Sequence, residues 1–168
     1  MPAHRITAQV FSAIYIGDNS SSSPLTRITE LATNGVEITE DLPTAYVVSE
    51  DADVQSGNHI VTAKLEFYAD SGLVTKISRG VSISGSINDP IGTKLYSLLL
   101  LSPTATAENS YYLPKVRVDK LRKLIYSKKQ AVSQLISLIA ENRDPTVPLI
   151  YQGTHSYLDG VMGSKSPI

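Results

Sequence analysis

Hydrophobic and polar residues alternate with a period of two along several parts of the chain. The pattern is clearest at residues 6–16, where most even positions are apolar, and at residues 59–69, where Val61, Ala63 and Leu65 alternate with polar residues. Such alternation places one face of a β-strand on a core. Further strands are expected at residues 45–49, 73–78, 81–87 and 111–118.

Two assignments depend on local chemistry instead of alternation. Asn34-Gly35 predicts a two-residue β-hairpin turn, because both residues tolerate the positive φ that a type I′ turn requires. Residues 94–101 form a continuous apolar run that fits either a buried strand or a short helix, since periodicity cannot separate the two.

A helical period predicts one long amphipathic helix over residues 119–142. Asp119 suits the N-cap, and Asp144-Pro145 supplies a stop. Lys128 lies within the apolar arc, so it must reach water or pair with an acid of this chain or of another. The apolar arc, about 160° wide, comprises Val118, Leu121, Leu124, Ile125, Ala131, Val132, Leu135, Ile136, Leu138 and Ile139.

Together these elements predict an α+β fold in a single β-rich domain spanning residues 1–168. The expected architecture is an antiparallel β-sandwich or barrel of seven to nine strands, with the long helix packed over one open face. Residues 145–168 contain three prolines after Asp144 and scattered apolar side chains. They predict an irregular C-terminal extension that docks along a surface.

Composition narrows the setting of the protein. The chain has 168 residues, 42% hydrophobic and 18% charged, which is ordinary for a domain that buries a core. There is no cysteine, so disulfides and sulfur-ligated zinc are excluded. No apolar run is long enough to span a bilayer, and the N-terminus lacks the pattern of a secretory signal. We therefore expect cytoplasmic synthesis and no membrane partner.

Charge is distributed unevenly although the net charge is only −1. Residues 1–60 hold two basic and eight acidic residues (net −6), and residues 61–168 hold thirteen basic and eight acidic residues (net +5). Such a chain can associate with copies of itself, acidic part against basic part, or the two parts can neutralise each other within one fold. The candidate contact residues are Lys115, Arg117, Arg122, Lys123, Lys128 and Lys129 on the basic side and Glu50, Asp51 and Asp53 on the acidic side.

Patterns that carry chemistry are weak. The histidines His4, His59 and His155 lie in separate segments without metal-type spacing, and Asp51-x-Asp53 lacks the glycine and glutamate positions of a calcium loop. Ser156 and Asp159 flank His155 without a nucleophile-elbow pattern, and no phosphate loop is present. We expect no catalytic residues, metal or cofactor. An enzyme would require the groups of segment 155–159 to converge in a pocket.

These observations favour a non-enzymatic structural subunit of a homo-oligomeric, virion-like assembly: a phage tail, neck or capsid-associated protein. No family motif is recognisable. In architecture, a β-barrel with one flanking helix and extensions resembles the subunits of phage tail tubes and related secretion tubes, which implies that copies of the chain and other structural proteins are its partners. The alternative is a nucleic-acid-binding module that uses the basic segment 115–129, with Tyr111, Tyr112 and Tyr126 nearby for stacking.

Overall fold

The structure is a computed structural model that describes residues 4–7, 11–29, 31–41, 44–46, 54–56, 59–67, 72–92, 94–119, 134–141 and 146–168. The described strands are β1 (His4–Thr7), β2 (Ala13–Asp18), β3 (Thr26–Arg27), β4 (Leu31–Asp41), β5 (Thr44–Tyr46), β6 (Val54–Ser56), β7 (Ile60–Phe67), β8 (Tyr96–Leu101), β9 (Ser110–Val118), β10 (Gln134–Ala140) and β11 (Tyr151–Gly153). The helices are α1 (Gly72–Ser78) and α2 (His155–Met162), which continues into a 3-10 turn at Gly163–Lys165.

Most strands belong to one antiparallel sheet. Its order is β1-β4-β7-β10-β9-β8-β2-β3, and β11 pairs with the first residues of β9. The short strands β5 and β6 form a separate two-stranded ribbon between β4 and β7. The fold is therefore α+β, as predicted, but it is built on a single open sheet with a C-terminal helix of eleven residues, 155–165, including its 3-10 turn.

The sheet has to curl. Strands β1 and β2 follow each other in the chain but lie six strand positions apart in the sheet, a separation of about 29 Å if the sheet were flat. The chain from Thr7 to Ala13 spans at most about 22 Å. The ring of Phe11, in this connection, contacts Tyr111 of β9 edge-on at 5.8 Å between ring centroids. The curled sheet thus encloses an interior.

One apolar cluster fills this interior. It includes side chains from both ends of the strand order, such as Ile16 of β2 and Ile38 of β4, as well as Val74 and Ile77 of α1. The buried members are Ile14, Ile16, Ile28, Val36, Ile38, Val61, Ala63, Leu65, Phe67, Val74, Ile77, Tyr96, Leu98, Leu100, Tyr111, Leu113, Val116, Val118, Ile136 and Leu138.

A second cluster lies on the outer face of the sheet beneath α2. Leu158 and Met162 of α2 pack with Leu99 and Leu101 of β8 and with Tyr112 of β9. Because its inner side chains face the interior and its outer ones face α2, all six residues of β8 are buried. This explains why its sequence is a continuous apolar run, and it shows that residues 94–101 contain a strand.

The long helix predicted for residues 119–142 is wrong in its last part. Residues 134–140 form β10, whose backbone pairs with both β7 and β9. Ile136 and Leu138 point into the core and Leu135 is 65% exposed, which is the alternation of a strand. The apolar run Leu-Ile-Ser-Leu-Ile satisfies either period, and pairing with two strands favours the extended form. Residues 120–133 lie outside the described part of the chain.

Other strand predictions are confirmed or corrected. The strands predicted at 59–69 and 111–118 are present as β7 and β9, and β5 covers the start of the segment 45–49. The segment 6–16, predicted as one strand, contains β1 and β2, which lie toward opposite ends of the sheet. Residues 73–78 belong to α1, and residues 81–87 form turns. The irregular C-terminal extension expected at 145–168 contains β11 and α2.

The hairpin predicted at Asn34-Gly35 is wrong. Strand β4 runs through both residues, and its register against β7 shifts there: Leu31 pairs with Phe67, whereas Val36 pairs with Leu65. Extra residues on one strand are accommodated as a bulge, which uses the same backbone freedom as a tight turn. Asn-Gly therefore marks an irregularity within the strand.

The strand assignment of β10 can be tested by two substitutions of the same type. We expect Leu138→Ala, at a fully buried position, to lower the free energy of unfolding by about 2–5 kcal/mol because it leaves a cavity. Leu135→Ala, at an exposed position, should change it by no more than about 0.5 kcal/mol. Urea unfolding measures both values, and equal losses would instead support the helical arc.

Candidate assembly surfaces

The strand directions separate the two ends of the sheet. At one end β4 finishes and β7 begins, with Asp41 paired to Ile60. Residues 42–59 connect these strands and contain the acids Glu50, Asp51 and Asp53 without any lysine or arginine. We call this the acidic end, defined by Glu40, Asp41, His59, Ile60 and the connection 42–59.

The opposite end carries basic connections. There β7 finishes at Phe67, which pairs with Gln134 at the start of β10, and β9 finishes at Val118. Residues 119–133 join β9 to β10 with five basic residues and one acid, Asp119. Helix α1 and the segment leading to β8 lie at the same end. We call this the basic end, defined by residues 72–95 and the connection 119–133.

Two of the nine predicted contact residues, Lys115 and Arg117, lie within the described part of the chain. Lys115 is exposed on β9. Arg117 donates from Nε to Oε2 of Glu141 at 2.7 Å, so its charge is paired within the chain. The others lie outside the described residues: Arg122, Lys123, Lys128, Lys129, Glu50, Asp51 and Asp53. Their connections nonetheless leave from opposite ends of the sheet, because the flanking strands do.

At the acidic end, the described side chains leave an excess of negative charge. His59 Nε2 lies 3.2 Å from Oε1 of Glu40. Asp41, the last residue of β4, lies on the other face of the sheet from Glu40 and pairs with Ile60, whose side chain is 37% exposed. This end of the sheet is therefore marked by an exposed apolar side chain with one carboxylate, that of Asp41, on the same face.

At the basic end, Asp18 anchors the long loop between α1 and β8, residues 79–95. Its carboxylate accepts hydrogen bonds from Ser82 Oγ at 2.6 Å and from the backbone N–H of Ile83 at 2.9 Å, and Ser84 adds weaker contacts from its N–H and Oγ. Burial alone would raise the pKa of Asp18, but these hydrogen bonds hold it below its ordinary value. The loop is thus tied to the end of β2.

The remainder of this loop is also held by the chain. Lys76 Nζ donates to the carbonyl of Ile83 at 3.0 Å, and Arg79 Nη1 donates to the carbonyl of Ile87 at 2.8 Å. The buried hydroxyl of Tyr96 donates to Val81 O at 2.5 Å, and burial, with the nearby charge of Asp18, raises the pKa of Tyr96. Beyond these anchors the loop exposes Ile87.

Sequence reasoning missed this anchored loop. Gly17-Asp18-Asn19 is a turn signal, and the serines that bind Asp18 alternate with apolar residues in the way that a strand does. The signal in the sequence was the spacing of Ser82 and Ser84, which lets two hydroxyls reach one carboxylate. Nothing in the sequence shows that the carboxylate comes from a residue more than sixty positions earlier.

A lysine clamps the C-terminal segment to the same region. Lys165 Nζ donates to the backbone carbonyl of Asn19 and lies 3.4 Å from Ser97 Oγ, while the carbonyl of Lys165 accepts from the N–H of Leu25 at 3.1 Å. Burial lowers the pKa of Lys165, and the charge of Asp18 partly opposes this effect. Residues 163–165 are therefore fixed against β2 and β8.

The side chains of segment 155–159 do not converge on a catalytic arrangement. His155 Nε2 lies 2.9 Å from the carbonyl of Ser102, and Asp159 accepts from Ser166 Oγ at 2.5 Å. Thr154 caps α2 by accepting from the N–H of Tyr157 at 3.2 Å. A hollow of about 280 Å³ beside this helix is lined by Glu108, Gln152, Gly153, Thr154 and Tyr157. These contacts give the segment a structural role.

Two features are absent from the residues that the structure describes. Within them, no group of three or more histidine, aspartate or glutamate side chains is placed to hold a metal ion. No helix in that part of the chain is long and apolar enough to cross a membrane.

The chain was compared with known proteins. No protein-family model matches it, and no curated protein matches it. A chain from the virion of the native gene transfer agent (GTA) particle is 7% identical, with a TM-score of 0.45, covering 84% of this chain and 95% of that one. A chain from the tail of the empty GTA particle, with C6 symmetry, is 8% identical, with a TM-score of 0.45, covering 77% and 91%.

A chain from the anti-feeding prophage (AFP) tube-terminating cap is 13% identical to this one. Its TM-score is 0.44, and the match covers 84% of this chain and 87% of that one. At TM-scores below 0.5, these similarities assign the chain neither a fold family nor a role.

The anchoring role of Asp18 predicts a pH dependence of stability. Since its folded pKa lies below the ordinary value of 3.8, ionised Asp18 stabilises the fold above about pH 4, and this stabilisation is lost as the pH falls through the folded pKa. We expect Asp18→Asn to lower the free energy of unfolding by about 1–2 kcal/mol at neutral pH.

Urea unfolding at neutral and acidic pH measures this effect. The difference between the wild type and Asp18→Asn should shrink as the pH falls below 4. Asp119→Asn, at an exposed residue, is the control and should differ little from the wild type at neutral pH. A constant difference for Asp18→Asn at all pH values would contradict the role of the charge.

Proposed function

We propose that the chain is a non-enzymatic structural subunit of a virion-like assembly, in a tail or tube, built from repeated copies of itself together with other structural proteins. One observation carries this proposal: connections of opposite charge leave opposite ends of the same sheet. The connection 42–59 holds three acids and no lysine or arginine, and the connection 119–133 holds five bases and one acid; the strands that flank these connections end at opposite ends of the sheet.

This layout favours head-to-tail association. Two copies stacked along the strand direction bring the acidic end of one against the basic end of the next, whereas stacking two like ends brings like charges together. A head-to-tail contact uses different surfaces on the two copies, so each added copy leaves a free end for another. Such contacts close into rings or continue as helical filaments.

The similar solved chains belong to particles of this kind, since their descriptions name a virion, a tail and a tube cap. They agree with the proposal only in the kind of particle to which they belong. The support comes from the charge of the two ends, which depends on the strand order of this chain and on its own residues.

Nucleic-acid binding by segment 115–129 is the alternative function. The pairing of Arg117 with Glu141 leaves this arginine less available for phosphate. The opposed acidic end has no part in nucleic-acid binding, because it repels phosphate. Protein contact therefore accounts for both ends of the molecule, and nucleic acid for one.

Sedimentation velocity of the purified protein tests the proposal. At micromolar concentration we expect species larger than a dimer at about 0.05 M salt and a shift toward smaller species at about 1 M salt, because salt screens the contact between exposed charges. Lys123→Glu should shift the low-salt distribution toward monomer. Lys64→Glu, the same change on an exposed residue within β7, is the matched control and should retain assembly.

A monomer at both salt concentrations would refute the proposal. Adding a short DNA or RNA duplex at low salt distinguishes nucleic-acid binding from self-association. Binding of the duplex without self-association, lost in the Lys123→Glu variant, would support the nucleic-acid function in its place.

A further inference from the structure

We infer that the α1–β8 loop, residues 79–95, is the surface by which the basic end of one copy docks onto the acidic end of the next, with Ile87 and Ile91 at its centre. This inference rests on the proposed function and names the contact within it. The occupant of the surface is a second copy of this chain.

The loop presents apolar side chains to solvent from a fixed backbone. Ile87 is 39% exposed and Ile91 is 53% exposed, at opposite sides of Pro90. The loop is tied down by Asp18, which binds Ser82 and Ile83, and by Arg79, which binds the carbonyl of Ile87. These hydrogen bonds already order the loop in the free subunit. The free energy gained when a partner buries the isoleucines is therefore not offset by the entropy lost on ordering the loop.

Basic residues outnumber acidic residues in the segment that contains these isoleucines. Between residues 72 and 95 there are three basic residues, Lys76, Arg79 and Lys94, and one acid, Asp89. Asp89 accepts a hydrogen bond from the N–H of Ser86 at 2.9 Å, so its charge is partly used within the loop. Lys94 is exposed. The loop thus carries two exposed isoleucines within a basic segment.

The acidic end offers the complement. Asp41 and Ile60 face each other across the last pair of β4 and β7, and Ile60 is 37% exposed. Glu40 precedes Asp41 and pairs with buried Val61, so its side chain lies on the other face of the sheet, where it meets His59. Exposed Ile60 with Asp41 on the same face is therefore the counterpart of the exposed isoleucines in the basic segment at the other end, and the two together can form an apolar contact core bordered by opposite charges.

These two surfaces lie at opposite ends of the strands, so one molecule cannot bring its own surfaces together. A second copy satisfies both the apolar and the charged groups, and it repeats the arrangement at its free end. The charges set the choice of partner surface. The basic end of one copy is attracted to the carboxylates of the acidic end and repelled by another basic end.

Single substitutions at the isoleucines test the contact. In sedimentation velocity at low salt, Ile87→Asp and Ile91→Asp should each weaken self-association by roughly tenfold or more, since a charge then enters the apolar centre. Ile168→Asp is the matched control, because Ile168 is 52% exposed but lies outside the loop. It should associate as the wild type does. Thermal unfolding shows whether each variant remains folded, and the weakening at Ile91 alone suffices if Ile87→Asp does not fold.

Charge exchange tests which surfaces meet. Lys94→Glu and Asp41→Lys should each weaken association, because each variant places like charges in every contact. An equimolar mixture of the two should associate again, since every contact in an alternating stack then joins opposite charges. Each charge variant alone, at the total protein concentration of the mixture, is the control and should give no recovery.

The outcomes separate this inference from the proposed function. If the wild type stays monomeric, both fail. If the wild type associates but Ile91→Asp associates equally well, or if the mixture of charge variants gives no recovery, the subunit function stands and the α1–β8 loop is not the contact.

Discussion

The short connection between β1 and β2 constrains the whole molecule. It joins two strands that are separated by five others in the sheet, and it is too short to span them if the sheet were flat. Once the sheet curls, alternate side chains of β4, β7, β8, β9 and β10 meet in a single interior. The outer face and the two ends of the strands are what remain for other contacts. Helix α2 covers the outer face over β8 and β9, and the ends carry the charge.

Much of the fold could be predicted from the sequence where a strand has one buried face. Strand β7 alternates cleanly because its outer side chains, such as Lys64, reach water. Strand β10 could not be assigned in this way, since Leu135 and Ile139 on its outer face are as apolar as Ile136 and Leu138 on its inner face. Apolar and polar residues therefore do not alternate along this strand, and the spacing of its apolar residues also matches a helix. Pairing partners decide such cases, and these are remote in sequence.

The candidate site could be predicted only in part, because its geometry also depends on pairing between strands that are remote in sequence. The uneven charge of the chain is visible by counting, and the acidic and basic residues were identified from it. Their placement at opposite ends depends on the antiparallel order of β4, β7, β10 and β9, which no local pattern contains. The anchoring of the α1–β8 loop was also out of reach, because Asp18 and Ser82 are neighbours only after the sheet has formed.

The C-terminal helix has a consequence for the order of events during synthesis. Leu99, Leu101 and Tyr112 are covered by Leu158 and Met162, which leave the ribosome more than forty residues later. Until then, a nascent chain that has already paired β8 with β9 carries an uncovered apolar outer surface. Docking of α2 is therefore the step that removes this surface from water, and exposed apolar surface of this kind is what promotes aggregation of incomplete chains.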